Sequence, residues 1–159
     1  MRTMRVSLRA LVSLAALTVP TVLWAAEWWV GTWKLNPGKS QSSSSLPRKQ
    51  VFTFEAQGEW MKTTEDIINA KGLEYQVTFR ARFDGKDYPV TGSRAGTELV
   101  SLRRIDSNTL EVVTKKKDGV ASGTHRLVVS ADGKVMTVTA WRGASASGEP
   151  TSVRIYEKQ

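Results

Sequence analysis

Between Leu73 and Phe83 the chain alternates without a break: Leu73, Tyr75, Val77, Phe79, Ala81 and Phe83 fall on one side, Glu74, Gln76, Thr78, Arg80 and Arg82 on the other. A period of two belongs to an extended strand with one buried and one wet face. A helix of about 3.6 residues per turn would scatter the same apolar set around its axis. Weaker versions of the rhythm occupy residues 29–35, 51–55, 60–68, 98–105, 109–115, 124–130, 135–142 and 152–157. Between the runs lie Gln57-Gly58, Lys71-Gly72, Asp84-Gly85, Ser107-Asn108, Asp118-Gly119 and Asp132-Gly133, which suit tight hairpin turns. No stretch outside the leader has convincing helical periodicity. The pattern predicts an all-β chain, a meander of antiparallel strands.

About eight to ten such strands must dispose of two sheet edges, and closing into a single up-and-down barrel does so. A β-sandwich is the rival, but it needs long Greek-key connections. Only residues 37–48 and 143–150 exceed hairpin length. The first is serine-rich and bounded by prolines, and reads as a flexible connection after the first strand, with a lid over the barrel mouth as the alternative. Tyr88-Pro89-Val90-Thr91-Gly92 carries a proline that suits a short edge segment or a strand bending across the barrel.

The N-terminus combines Arg2, Arg5 and Arg9, an apolar stretch over residues 10–23, and Trp24-Ala25-Ala26. This is the layout of a secretory signal peptide, assigned to residues 1–26; an uncleaved membrane anchor is the rival reading. Residues 27–159 then form one domain of 133 residues, and the formal charge falls from +8 to +5 with the three arginines. Such a chain is expected in the periplasm or secreted, with no stable membrane insertion after cleavage. It has no cysteine, so neither a disulfide framework nor a lipobox is present. Positive and negative residues are interspersed, and the single run, Lys115-Lys116-Lys117, suits a solvated strand end; nucleic acid is not an expected partner.

The inventory for catalysis is thin. His125 is the only histidine, no Gly-x-Ser-x-Gly elbow is present, and a metal site would lack ligands. His125 alternates with Leu127 and Val129 and reads as a core or rim residue. Glu65 and Asp66 are adjacent in a strand and point to opposite faces, so they cannot act as a pair on one bond. No enzyme, cofactor or metal is expected.

Gly31-Thr32-Trp33-Lys34-Leu35 resembles the Gly-x-Trp first strand of the calycins, the lipocalins and intracellular lipid-binding proteins. Arg154-Ile155-Tyr156-Glu157-Lys158 is similar to the last strand of fatty-acid-binding proteins. The whole pattern, with Phe-Asp-Gly-Lys-Asp-Tyr-Pro-Val-Thr-Gly at 83–92, is most similar to a group of uncharacterised exported bacterial proteins of lipocalin-like fold. The resemblance implies a closed barrel whose first and last strands pair, around one small, usually apolar, molecule. In fatty-acid-binding proteins the Arg-x-Tyr pair engages a ligand carboxylate, a role that would fall here to Arg154 and Tyr156.

Trp29, Gly31, Trp33 and Leu35 share a face, so Gly31 and Trp33 are expected to close one end of the barrel. A cation over the Trp33 ring would strengthen that seal, with Arg154 first and Arg142 and Lys158 behind it. Arg154 thus has two readings, closure or ligand anchor. Phe52, Phe54, Tyr75, Val77 and Phe79 are the expected cavity wall, with Arg154 and Tyr156 as polar anchors. The expected function is binding of an apolar or amphipathic small molecule, without catalysis, with an apolar or acidic ligand as the expected partner. The alternative is an envelope or secreted interaction protein with a filled barrel; oligomeric state is left open.

Overall fold

The first strand opens at Gly31, and in the computed structural model, which describes residues 28–159, it closes a barrel against the last. The signal peptide assigned to residues 1–26 lies outside the described residues. The strands are β1 (Gly31–Ser42), β2 (Lys49–Gln57), β3 (Trp60–Ile68), β4 (Glu74–Ala81), β5 (Tyr88–Thr91), β6 (Leu99–Arg104), β7 (Thr109–Lys115), β8 (Ala121–Val129), β9 (Val135–Arg142) and β10 (Ser152–Lys158). Each pairs antiparallel with its successor, and β10 returns to β1. The architecture is a single closed antiparallel barrel of ten strands, with no helix among the described residues. Closure satisfies both edges, as the alternation required, and removes the sandwich alternative.

The serine-rich segment departs from expectation. Half of it is strand: β1 runs on to Ser42, and its register against β10 shifts between Asn36 and Gln41. Pro37 cannot donate to a ladder, so the chain bulges there. Ser40 stitches the bulge, its hydroxyl donating to the Asn36 carbonyl at 2.7 Å and accepting from the Ile155 N–H at 2.9 Å. Asn36 Nδ2 and Lys39 Nζ both donate to Glu157 Oε1. A composition that reads as a loop becomes strand because side chains replace the missing ladder bonds. β5 is the short, proline-bearing segment anticipated, with Pro89 in register with Leu99. In a closed barrel the Lys115-Lys116-Lys117 run protects no free edge; Lys115 instead pairs with Asp87 at 2.6 Å.

The two barrel ends differ. At one end Trp29, Trp33, Met61, Leu102, Leu110 and Met136 are fully buried and form a floor. At the other, the β1–β2, β3–β4, β5–β6 and β9–β10 connections surround a mouth. Gly92 ends β5 with a φ of 81°, and a Cβ there would overlap the Gln76 carbonyl oxygen on the adjoining strand. Both the left-handed backbone and the contact exclude a side chain. Gly92→Ala is therefore expected to destabilise the barrel by roughly 2 kcal/mol in chemical denaturation; a change within about 0.5 kcal/mol would show that the contact is easily relieved.

Candidate functional site

The floor is built at the ends of β1 and β10. Trp33 has no exposed surface, and its indole Nε1 donates to the Trp29 carbonyl at 2.6 Å. The cation over its ring is Lys158, whose Nζ lies 5.1 Å from the centroid, and not Arg154. Register decides this: Trp33 is paired with Lys158, and Arg154 lies four residues back along β10, ~13 Å toward the mouth. Gly31, with φ of 126°, leaves space for the lysine, since a Cβ there would sit 2.9 Å from Lys158 Cε. Arg104 covers Trp29 and Phe83 at 4.6 and 5.0 Å, a second cation under the barrel. Closure by Gly31 and Trp33 thus has a physical basis, while the closure reading of Arg154 is replaced by Lys158.

Above the floor lies a cavity of about 680 Å³ reaching the mouth. Phe52, Phe54, Tyr75, Val77, Phe79, Arg154 and Tyr156 all line it. They form two groups. Phe54, Phe52 and Tyr156 make a ladder of rings at centroid separations of 5.6 and 5.2 Å. Tyr75, Val77 and Phe79 follow one another along the inner face of β4. Val100, Leu127 and Val138 complete the apolar lower wall. Toward the mouth the lining turns polar, with Ser43, Ser44, Ser45, Asn69 and Thr151. Residues of the serine-rich segment therefore do border the opening, but only those beyond β1.

The polar centre of the cavity involves residues that the alternation marked only indirectly. Gln50 on β2 is buried; its Oε1 accepts from Tyr156 OH at 2.8 Å and from Arg154 Nη1 at 3.1 Å, while its Nε2 donates to Glu65 Oε1 on β3. Gln50 has the same parity as Phe52 and Phe54, and Glu65 pairs in register with Phe52. Both could have been read as inward from that spacing. Asp66 points outward, where it accepts from Gln76 at 2.7 Å, so the two adjacent carboxylates do face opposite ways. His125 on β8 also lines the cavity, with Leu127 and Val138 below it.

Withdrawal from water governs the electrostatics here. Burial pushes the Glu65 carboxyl above the usual range, and the Gln50 hydrogen bond and the Arg154 charge pull the other way. Burial also raises the Tyr156 phenol, so it remains a neutral donor. The same effect, assisted by Arg154, pushes His125 down to about 4. The imidazole is thus neutral at physiological pH, able to accept or donate a hydrogen bond but not to supply charge. Arg154 is the fixed cation, with Nε buried and without a partner.

The fold and its cavity define a closed antiparallel β-barrel with an internal chamber, sealed below and open above. A scan against models of known protein families finds no match to this chain, and a search of the curated proteins finds none either. Chemically, the chamber can hold an apolar body against the rings and a polar head against the Gln50 cluster. Among the described residues no group of His, Cys, Asp and Glu side chains is arranged to hold a metal ion.

The single histidine makes the electrostatics measurable. Its ring protons should titrate by NMR with a midpoint near 4, and Arg154→Met should move that midpoint upward. Because the unfolded chain takes the proton first, His125 contributes a loss of stability as pH falls from about 6.5 toward 4. A midpoint above about 6 would mean the ring is hydrated and the cavity wet at that height.

Proposed function

We propose that this is an exported, lipocalin-like small-molecule-binding protein that holds an apolar or amphipathic ligand in its barrel without turning it over. The observation that carries the reading is the cavity of about 680 Å³, lined by packed rings and aliphatic groups with a few converging polar side chains. Drug-sized ligands occupy pockets of about 300–1,000 Å³ of this character. Arg154 brings a cation without an ion-pair partner among the described residues to the cavity wall, and Gln50 holds it in place. The resemblance of the Gly31-x-Trp33 and Arg154-x-Tyr156 strands to calycins supports the same reading. The basic and apolar leader supports export to the periplasm or beyond.

The alternative, an interaction protein with a filled barrel, requires a packed interior, and the cavity weighs against it. The binding reading involves no cofactor, no nucleic acid and no membrane insertion once the leader is removed. Catalysis is not part of it: His125 and Glu65 face the cavity from β8 and β3 without a nucleophile activated between them.

Native mass spectrometry of protein purified from its own periplasm is expected to show a small molecule retained in the barrel. Val77→Trp, placed between Tyr75 and Phe79 on the cavity wall, should release it while the circular dichroism of the barrel persists. Protein that carries nothing, and that takes up no apolar fluorophore, would sink the binding reading.

A further inference from the structure

The cavity wall carries both signs of charge. Arg154 on β10 and Glu65 on β3 face the same chamber, with the Gln50 amide between them. The amide's orientation follows from its neighbours: a guanidinium only donates, so the oxygen faces Arg154 and the NH₂ faces the carboxyl. Tyr156 spends its single proton on the same amide oxygen. Its hydroxyl is therefore not a free donor for an anionic head.

Two capacities remain. Arg154 lines the chamber and makes no ion pair among the described residues, its Nη1 being held by Gln50. The hydrogen bond that holds Glu65 engages Oε1 and leaves its other oxygen as an acceptor. With Glu65 ionised and His125 neutral, the side-chain charges at this height cancel. A carboxylate set against Arg154 would share the wall with Glu65 and leave one negative charge in excess. Burying such a charge unpaired is heavily disfavoured. A head that accepts from Arg154 and donates to Glu65 disturbs nothing.

We propose that Glu65 sets the ligand class: the chamber selects apolar molecules with an uncharged head that both accepts and donates, such as an alcohol or a primary amide. This rests on the binding reading above. A carboxylate with the same tail binds only with a proton on Glu65. The groups that face Glu65 are Gln50 on β2, Tyr75 on β4, and Arg154 and Tyr156 on β10, with His125 on β8 across the chamber; Arg142 on β9 lines the cavity nearer the mouth, and Arg94 acts on Tyr75 from the β5–β6 connection. Burial already raises the Glu65 carboxyl, so an incoming anion raises it further and takes up a proton. Carboxylate affinity then falls as pH rises, up to about tenfold per unit, and amide affinity does not.

Calorimetric titration of the periplasmic protein with decanamide, decan-1-ol and decanoate tests this, at about pH 6 and 8 in two buffers of different ionisation enthalpy. Decanamide and decanol should bind with little pH dependence. Decanoate should weaken by about tenfold or more across that range and take up roughly one proton. Glu65→Gln should abolish the uptake and tighten decanoate at the higher pH, while the amide is affected less. Decanoate binding more tightly than decanamide at about pH 8, without proton uptake, overturns the proposal on the wild-type protein alone, whether or not the variant folds. If none of the three binds and no molecule is retained in the native spectrum, the binding reading itself fails and this one with it. Binding of an unrelated retained molecule whose head is anionic overturns the selectivity alone.

Discussion

The pairing of β1 with β10 is the contact on which everything else in this molecule depends. It joins the first and last described strands into a ladder, removes both sheet edges, and fixes which side chains of the last strand meet which of the first. Register then assigns roles. Lys158 falls beside Trp33 and becomes part of the floor, Tyr156 falls beside Leu35 just above it, and Arg154 is left at the height of the chamber. A two-residue slip along β10 would keep every side chain on its face and yet move the guanidinium toward the indole. The irregularity at Pro37 and Ser40 therefore matters beyond its own strand, because it fixes the register at the mouth end of the same ladder.

Ten strands enclose more space than the inward side chains of this sequence fill. The lower third is packed with tryptophan, leucine and methionine, while higher up the inward residues shrink or become polar: Thr63, Val77, Val112, Ala140 and Ser152. Barrel diameter grows with strand number, so small side chains at mid-height leave volume rather than contact. That volume is the chamber. Its cost is visible in two of the four buried polar atoms without hydrogen-bond partners among the described residues, Arg154 Nε and Thr63 Oγ1, which belong to residues on its wall.

Much of the barrel was legible because alternation and turn residues report local backbone geometry directly. The alternation over residues 73–83 specifies a half-buried strand, realised as β4 over Glu74–Ala81; its wall residues Tyr75, Val77 and Phe79 follow from parity, while Leu73, expected on the buried face, lies exposed before the strand begins. Composition misled at residues 37–42, where the ladder is maintained by particular side chains, Ser40 and Asn36, that no periodicity encodes. The cation over Trp33 was unreadable for another reason. Choosing between Arg154 and Lys158 requires the register between strands more than a hundred residues apart, and both share the same face. Gln50 and Glu65 were within reach, since each has the parity of an inward aromatic neighbour, but polar residues on a buried face are easily read as strand ends or turns.

The polar cluster itself argues against a purely structural chamber. A barrel that needed only stability would be better served by apolar groups at Gln50, Glu65 and Arg154, since a dehydrated ion pair rarely outperforms a packed hydrocarbon core. Placing the charges on β3 and β10 with an amide between them keeps them apart while fixing both in position. Direct contact would have satisfied them internally. Their separation leaves a guanidinium and a carboxyl on the wall of the same chamber, each tied to the amide and not to the other, and the proposed ligand preference rests on that arrangement.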